Sequence, residues 1–121
     1  MTAVRVKICG FTRPSDVRAA VVAGADALGF VFAPRSKRVL TIPRAAELVT
    51  GVPAFVSRVG LFMDQDYEAV ARILDRVPLN LLQFHGAEDA AFCRRFGLPY
   101  IKAVSMDSDR AVERAGQEYT D

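Results

Sequence analysis

The sequence lacks both a strong charge bias and a long hydrophobic run. It contains 16 Lys and Arg against 14 Asp and Glu, which gives a net charge of +2 over 121 residues. This balance gives no reason to expect nucleic acid, although it is compatible with a small anionic ligand. The longest apolar run, Ala25–Ala33, is interrupted by Asp26 and Gly29, and a helix that spans a membrane takes about 20 apolar residues. We therefore expect neither nucleic acid nor a membrane as a partner.

Cysteine is also scarce. Only Cys9 and Cys93 are present, and the amino terminus runs directly into a predicted strand without the pattern of a signal peptide. Two thiols without secretory context are typical of a reduced protein, so we expect a cytoplasmic location. Cys93 follows Ala90, Ala91 and Phe92 in a helical stretch, where a free cysteine is usually part of the core.

The stretch Val4–Gly10 predicts the first strand. Its residues alternate between apolar and polar, which is the period of a strand with two different faces. Cys9 ends this strand on its polar face. Because ligands of α/β proteins collect at the carboxyl ends of strands, Cys9 is the first candidate for a functional residue.

The rest of the chain predicts four more strands, each followed by a helix. The predicted strands are Ala27–Phe32, Val56–Phe62, Leu79–Phe84 and Tyr100–Val104. The first predicted helix begins at Thr12 and ends at Gly24, and the second begins at Thr41 with Pro43. Asp64 or Asp66 starts the third helix, the fourth covers Glu88–Phe96, and Asp107 or Ser108 starts the last one. Five consecutive β–α units imply a parallel sheet in one domain.

Two α/β architectures fit this pattern. The length favours a complete doubly wound, flavodoxin-like domain with a binding or signalling role. The charged strand residues Arg5, Lys7, Arg58 and Lys102 favour the interior of a TIM-type (β/α)8 barrel instead, because central strands of a doubly wound sheet are apolar on both faces. The chain also lacks an acidic cluster at its strand ends and a Gly-rich loop that opens a helix, so the binding module is the weaker alternative.

Several segments, in order and nearly throughout the chain, resemble the phosphoribosylanthranilate isomerase family of tryptophan biosynthesis. The segments are Lys7–Thr12, Gly24–Phe32, Ser36–Arg38, Val59–Phe62 and Leu82–Gly86. The resemblance implies a TIM-type (β/α)8 barrel, of which residues 1–121 supply the amino-terminal part with strands one to five. It also implies an Amadori rearrangement of N-(5-phosphoribosyl)anthranilate to 1-(2-carboxyphenylamino)-1-deoxyribulose 5-phosphate without cofactor or metal.

The resemblance assigns roles to individual residues. Cys9 matches the general base of the family, and a thiol with a reference pKa of about 8.5 suits this task when a cation such as Lys7 lies nearby. Arg38 matches an arginine that binds the anthranilate carboxylate, for which a guanidinium is well shaped. Gln83 and His85 match the motif that ends the fourth strand, so we expect them to line the substrate pocket.

Two parts of the family's machinery have no match, the general acid and the loops after strands seven and eight that hold phosphate in such a barrel. The general acid of the family is an Asp at the end of the sixth strand, and Asp121 does not fit because residues 118–120 do not form a buried strand. We therefore expect negligible activity from residues 1–121 alone. A homo-oligomer and a missing carboxyl-terminal half-barrel both remain open as ways to complete the fold.

Overall fold

A computed structural model describes residues 3–105 and 109–119 as five strands that alternate with five helices. The elements are β1 (Lys7–Cys9), α1 (Pro14–Val22), β2 (Ala27–Val31), α2 (Ile42–Val49), β3 (Ser57–Phe62), α3 (Tyr67–Arg76), β4 (Leu81–Phe84), α4 (Ala90–Arg94), β5 (Tyr100–Lys102) and α5 (Asp109–Glu118). The order of elements confirms the five predicted β–α units. The ends differ most in β1 and α4, and β4 and β5 are also shorter than predicted.

All four strand pairings are parallel, and the strands lie in the sheet in the order in which they occur in the chain. A doubly wound sheet reverses its strand order at a switch point, so a strictly sequential order is incompatible with a flavodoxin-like fold. Sequential order is the arrangement of a (β/α) barrel, in which each crossover moves one strand further around. The flavodoxin-like alternative is therefore wrong.

One face of the sheet, here called the outer face, is covered by helices. Its main strand residues are fully buried and include Leu28, Phe30, Leu82 and Phe84, which pack with side chains of α1 to α4. Aromatic rings link neighbouring strands and helices along this face. The centroid of the Phe84 ring lies 5.9 Å from that of Phe62 and 5.9 Å from that of Phe92. This layer is the core of the protein.

The opposite face, here called the inner face, carries side chains from strands and from the loops that follow them. Val31, Val59 and Leu61 form a second buried cluster, and the residues packed against it are Cys9, Ala27, Ala33 and Leu81. None of these residues belongs to a helix. Helices thus cover only one face of this sheet. The wall of a (β/α) barrel has the same construction, and its uncovered face is turned toward the barrel axis.

The predicted helix ends at Gly24, Thr41 and Asp66 are confirmed. Thr41 accepts a hydrogen bond from the backbone N–H of Arg44, and Asp66 caps α3 in the same way. Gly24 follows α1 with a φ of 91°, a conformation that suits glycine. The predicted start of the last helix at Asp107 or Ser108 lies outside the described residues.

The predicted cap at Thr12 is wrong. Helix α1 has Arg13 at its N-cap position without a side-chain hydrogen bond, and Pro14 occupies the first turn. Proline already has the helical φ and lacks an N–H that the first turn would leave unpaired, so it suits the first helical position, and the helix starts one residue later than predicted. The carbonyl of Thr12 instead accepts a hydrogen bond from the Arg44 guanidinium at 2.9 Å.

The prediction that the charged strand residues point into the barrel is also partly wrong. Lys7 lies on the inner face as predicted. Arg58 and Lys102 pair in register with Leu28 and Phe84 of the helix-covered face and so point outward. Side chains alternate along a strand, and one charged residue among apolar ones does not show whether it lies on the inner or the outer face. The barrel prediction is correct, but these two residues are not evidence for it.

Replacement of Phe84 by alanine tests the outer core. Phe84 is fully buried, so Phe84→Ala should lower the free energy of unfolding by about 3–5 kcal/mol through lost burial and a cavity. Urea denaturation followed by circular dichroism measures the change. The matched control is Phe55→Ala, because Phe55 is fully exposed and its removal should change stability by less than about 0.5 kcal/mol. Equal effects of the two substitutions would contradict this description of the core.

Candidate active site

Cys9 is the last residue of β1 and lies on the inner face with a free, half-buried thiol. Its neighbour in the sheet is Gly29 of β2. A Cβ atom at position 29 would lie 2.6 Å from the Cys9 Sγ atom and 3.0 Å from a methyl group of Leu61. Glycine at this position therefore leaves the space that the sulfur occupies.

Lys7 lies beside the sulfur atom of Cys9. The two residues are two positions apart and share the inner face, and the Lys7 Nζ atom donates a hydrogen bond to Cys9 Sγ at 2.5 Å. The Lys7 ammonium and the Cys9 sulfur thus lie side by side because both side chains project from the same face of β1. Such a pair combines an atom that can take up a proton with a fixed positive charge.

Arg38 reaches the same strand end from the loop between β2 and α2. Its Nη1 atom donates to the carbonyl oxygen of Cys9 at 3.3 Å, and its backbone N–H donates to Ser36 Oγ at 3.1 Å. The guanidinium lies over Gly10, so a side chain at position 10 would overlap it. Gly10 also has a φ of 91°, which other residues rarely adopt. The exposed guanidinium is thereby held over the carboxyl end of β1.

Gln83 and His85 form a second polar pair at the end of β4. Gln83 lies on the inner face, and its Nε2 atom is 2.8 Å from Nε2 of the His85 ring. When the amide donates this hydrogen bond, the ring proton sits on Nδ1. The Gln83 Oε1 atom is buried and has no hydrogen-bond partner within the described part of the chain. An unpaired buried acceptor on this face is a point at which a ligand can donate a hydrogen bond.

The structure places these candidates in two groups at one rim of the sheet. Lys7 and Arg38 each contact Cys9 at the end of β1. Gln83 lies in β4 and His85 follows its last residue, and three strand spacings separate β1 from β4, roughly 14 Å along the sheet. A ligand that touches both groups must extend across the inner face.

Sequence reasoning missed a third group of polar residues behind this rim. Glu88 is buried, and its carboxylate binds Lys102 at 3.1 Å and the backbone N–H groups of Asp64 and Gly86 at 2.8 Å each. The available signal was the absence of an acidic partner for Lys102 within the strands. The partner comes from the loop between β4 and α4, which sequence periodicity does not place.

Within residues 3–105 and 109–119, no three His, Cys, Asp or Glu side chains are grouped so as to hold a metal ion. In the same residues no helix has the length and apolar character needed to cross a membrane.

A sequential parallel sheet, helices on one face and polar side chains at the carboxyl ends of the strands together define a protein of the TIM-type (β/α) barrel class. The comparisons with known proteins narrow this class. The profile of the N-(5'-phosphoribosyl)anthranilate (PRA) isomerase family matches residues 6–121. The chain therefore belongs to this family, as its sequence motifs had predicted.

Individual relatives agree. The N-(5'-phosphoribosyl)anthranilate isomerase of Neisseria meningitidis is 45% identical over 121 residues, which are 100% of this chain and 58% of the relative. A crystal structure of a phosphoribosylanthranilate isomerase in complex with reduced 1-(o-carboxyphenylamino)-1-deoxyribulose 5-phosphate is 41% identical. It has a TM-score of 0.89 over 95% of this chain and 60% of its own chain.

Another solved structure, of monomers generated from the dimeric enzyme of Thermotoga maritima, is 38% identical. It has a TM-score of 0.88 over 95% of this chain and 60% of its own. The chain thus spans about three fifths of the length of the relatives that it matches.

The two thiols should differ in reactivity. Burial raises the pKa of Cys93 from an ordinary value of 9.0 to about 11, so its thiol stays protonated and covered at pH 8. We expect iodoacetamide at pH 8 to alkylate Cys9 and to spare Cys93, as measured by peptide mass spectrometry. The same reaction in urea, which should label both residues, is the control. Labelling of Cys93 before Cys9 in the folded protein would contradict the assignment.

The raised pKa of Cys93 also predicts a pH dependence of stability. The fold favours the neutral thiol, so the stabilisation is present below about pH 9 and is lost as the pH rises through about 11. The free energy of unfolding from urea titrations should fall over this range. Cys93→Ala should flatten the fall, and an unchanged slope in this variant would assign the alkaline loss to other groups. Tyr119, whose pKa burial raises to about 12, acts at still higher pH.

Proposed function

We propose that this chain forms the amino-terminal part of a phosphoribosylanthranilate isomerase, with strands one to five of a single (β/α)8 barrel. The enzyme converts the aminoaldose N-(5-phosphoribosyl)anthranilate to the ketose 1-(2-carboxyphenylamino)-1-deoxyribulose 5-phosphate. The observation that carries the proposal is the contact of Cys9 with Lys7 at the mouth of β1, under the Arg38 guanidinium, in a chain of this family.

Cys9 is the proposed general base. The rearrangement needs an acid that protonates the furanose ring oxygen, so that the C1–O bond breaks and a C1–N double bond forms. A base then removes the proton from C2, and the electrons of that C–H bond form a C1–C2 double bond while the C1–N bond becomes single. The resulting enol then becomes the C2 ketone as C1 takes up a proton. The sulfur of Cys9 takes the C2 proton as a thiolate, and the Lys7 ammonium balances its negative charge.

The remaining candidates bind the two ends of the substrate. Arg38 presents an exposed guanidinium beside Cys9, which suits the anthranilate carboxylate. Gln83 offers a buried acceptor oxygen to a hydroxyl of the open-chain sugar. His85, which holds the amide of Gln83, completes this second contact on β4. The reaction is an internal transfer of hydrogen, so these groups together with an acid are sufficient without a cofactor.

The proposed completion of the barrel is three further β–α units. The relatives extend beyond the region matched here by about two fifths of their length, and a (β/α)8 barrel needs three strands in addition to these five. A second copy of residues 1–121 would bring five strands and give ten in all. A reduced cytoplasm is the proposed location, because both thiols are unpaired.

A chimera tests the function. We expect the 121-residue protein alone to show negligible turnover, because the acid of the resembled family lies on the sixth strand. Joined to the carboxyl-terminal two fifths of the Neisseria meningitidis relative, it should convert N-(5-phosphoribosyl)anthranilate, as followed by the loss of anthranilate fluorescence. A folded but inactive chimera would count against the proposal.

Two variants of the chimera separate the roles. Cys9→Ala should lower kcat by about 10²–10⁴, the usual contribution of a general base, with KM little changed. Arg38→Met should act mainly on KM. The matched control is Arg35→Met, because Arg35 is an exposed residue of the same loop. Full activity of the Cys9→Ala variant would remove Cys9 from the mechanism.

A further inference from the structure

Glu88 is the one polar or charged side chain buried within the described residues. Its two carboxylate oxygens receive three hydrogen bonds. Oε1 accepts from the Gly86 N–H at 2.8 Å and from Lys102 Nζ at 3.1 Å, and Oε2 accepts from the Asp64 N–H at 2.8 Å. Both partners of the ion pair are nearly inaccessible, with 3% of the Glu88 and 9% of the Lys102 side chain exposed.

These bonds hold the backbone immediately after His85. The N–H of His85 donates to the Phe62 carbonyl at 2.9 Å as a continuation of the sheet. The next N–H, of Gly86, donates to Glu88, and the Gly86 carbonyl accepts from Lys102. The following N–H, of Ala87, donates to Asp64 Oδ1 at 2.6 Å. Three successive peptide units are thus anchored at the position where His85 leaves β4.

Asp64 joins the end of β3 to the same cluster. It has a φ of 58°, in the left-handed region that non-glycine residues seldom occupy. Its N–H donates to Glu88 and its carboxylate accepts from Ala87, so its backbone and its side chain both bind the loop after β4. The carboxylate also fills the space next to Gly86, which leaves no room for a side chain there. Glu88 therefore ties the ends of three neighbouring strands together.

We propose that Glu88, paired with Lys102, is a positioning residue that sets the direction of the His85 imidazole on the inner face. The His85 side chain projects from a backbone whose following peptide unit is held by the Glu88 carboxylate. If that unit rotates, the ring moves away from Gln83, and the buried amide loses its partner. The inference rests on the proposed function only where it assigns His85 to substrate binding.

The chemistry of the cluster requires a carboxylate. Three donors converge on Glu88, and they are shared between two acceptor oxygens, which a carboxylate supplies. A glutamine of the same size offers one acceptor oxygen and turns an NH₂ group toward a backbone N–H or an ammonium. Stability alone does not explain the pair, because buried ion pairs can often be replaced by apolar side chains at little cost. The loop that this pair holds is the one that carries His85.

The test uses Glu88→Gln in the 121-residue protein, with Glu113→Gln on the exposed side of α5 as control. His85 is the only histidine in the sequence, so its ring signals need no further assignment. We expect a changed ratio of the two neutral tautomers in ring ¹⁵N spectra at pH 8. We also expect amide exchange of Asp64 and Gly86 to become at least about tenfold faster, since bonds to a charged acceptor are lost. The control should show neither effect.

A folded Glu88→Gln protein whose His85 signals match those of the unsubstituted protein would overturn the proposal, even if it were less stable. A second pair of variants decides the matter if Glu88→Gln does not fold. Lys102→Arg keeps a cation and donors next to Glu88 and should preserve the His85 signals, whereas Lys102→Met should alter them. Identical ring spectra of the folded Lys102 variants would equally overturn the proposal.

These readouts need no substrate and no turnover. A shift of the His85 signals together with an inactive chimera would therefore support the positioning role while the proposed function fails. Unshifted signals together with an active chimera would overturn the positioning role and support the proposed function.

Discussion

The rest of the structure depends on the burial of one face of the sheet beneath the helices. Phe30, Phe62 and Phe84 of successive strands stand on that face and are fully buried or nearly so. Because side chains alternate along a strand, their burial forces the intervening residues onto the inner face. Cys9, Gly29 and Gln83 are there for this reason. The apolar packing of the outer face thus decides where the polar residues of the candidate site lie.

Hydrogen bonds from side chains of the loops also organise the carboxyl ends of the strands, where the candidate site lies. The loops that follow β2, β3 and β4 each send a side chain to the end of the preceding strand in the sheet. Arg38 binds the carbonyl of Cys9 at the end of β1, and Gln65 binds the carbonyl of Phe32 after β2 at 2.9 Å. Glu88 continues the series at the end of β3. These bonds satisfy backbone groups that the short strands leave unpaired, and they hold the loops that carry the candidate residues.

The buried pair of Glu88 and Lys102 is the most protected member of this series. Surface ion pairs of this protein, such as Arg13 with Asp16, are exposed to water and contribute little. The pair behind β4 is shielded, and its carboxylate organises backbone groups from two loops. The pair therefore links the buried core to the loops at the carboxyl ends of the strands. Tyr119, at the end of α5, adds a hydrogen bond from its hydroxyl group to the carbonyl of Glu88 at 2.5 Å.

The sequence was sufficient for some features and insufficient for others. Strand and helix order followed from periodicity, because the alternation at Val4–Cys9 and the capping residues Thr41 and Asp66 act over a few neighbouring positions. The face of the sheet to which Arg58 and Lys102 point did not follow. A single charged residue in an otherwise mostly apolar strand can lie on either face of the sheet, and only the packed helices show which face is covered.

By itself, the sequence determined the succession of five β–α units, the family motifs and the position of Cys9 at a strand end, because local preferences and spacing along the chain fix these. The tertiary structure decided that the strands lie in sequential order, that Lys7 contacts the sulfur, and that Glu88 meets Lys102 beneath the loop of His85. Such contacts join residues that are far apart in the chain, or depend on which face is buried. They exist only once the sheet and its helices have packed.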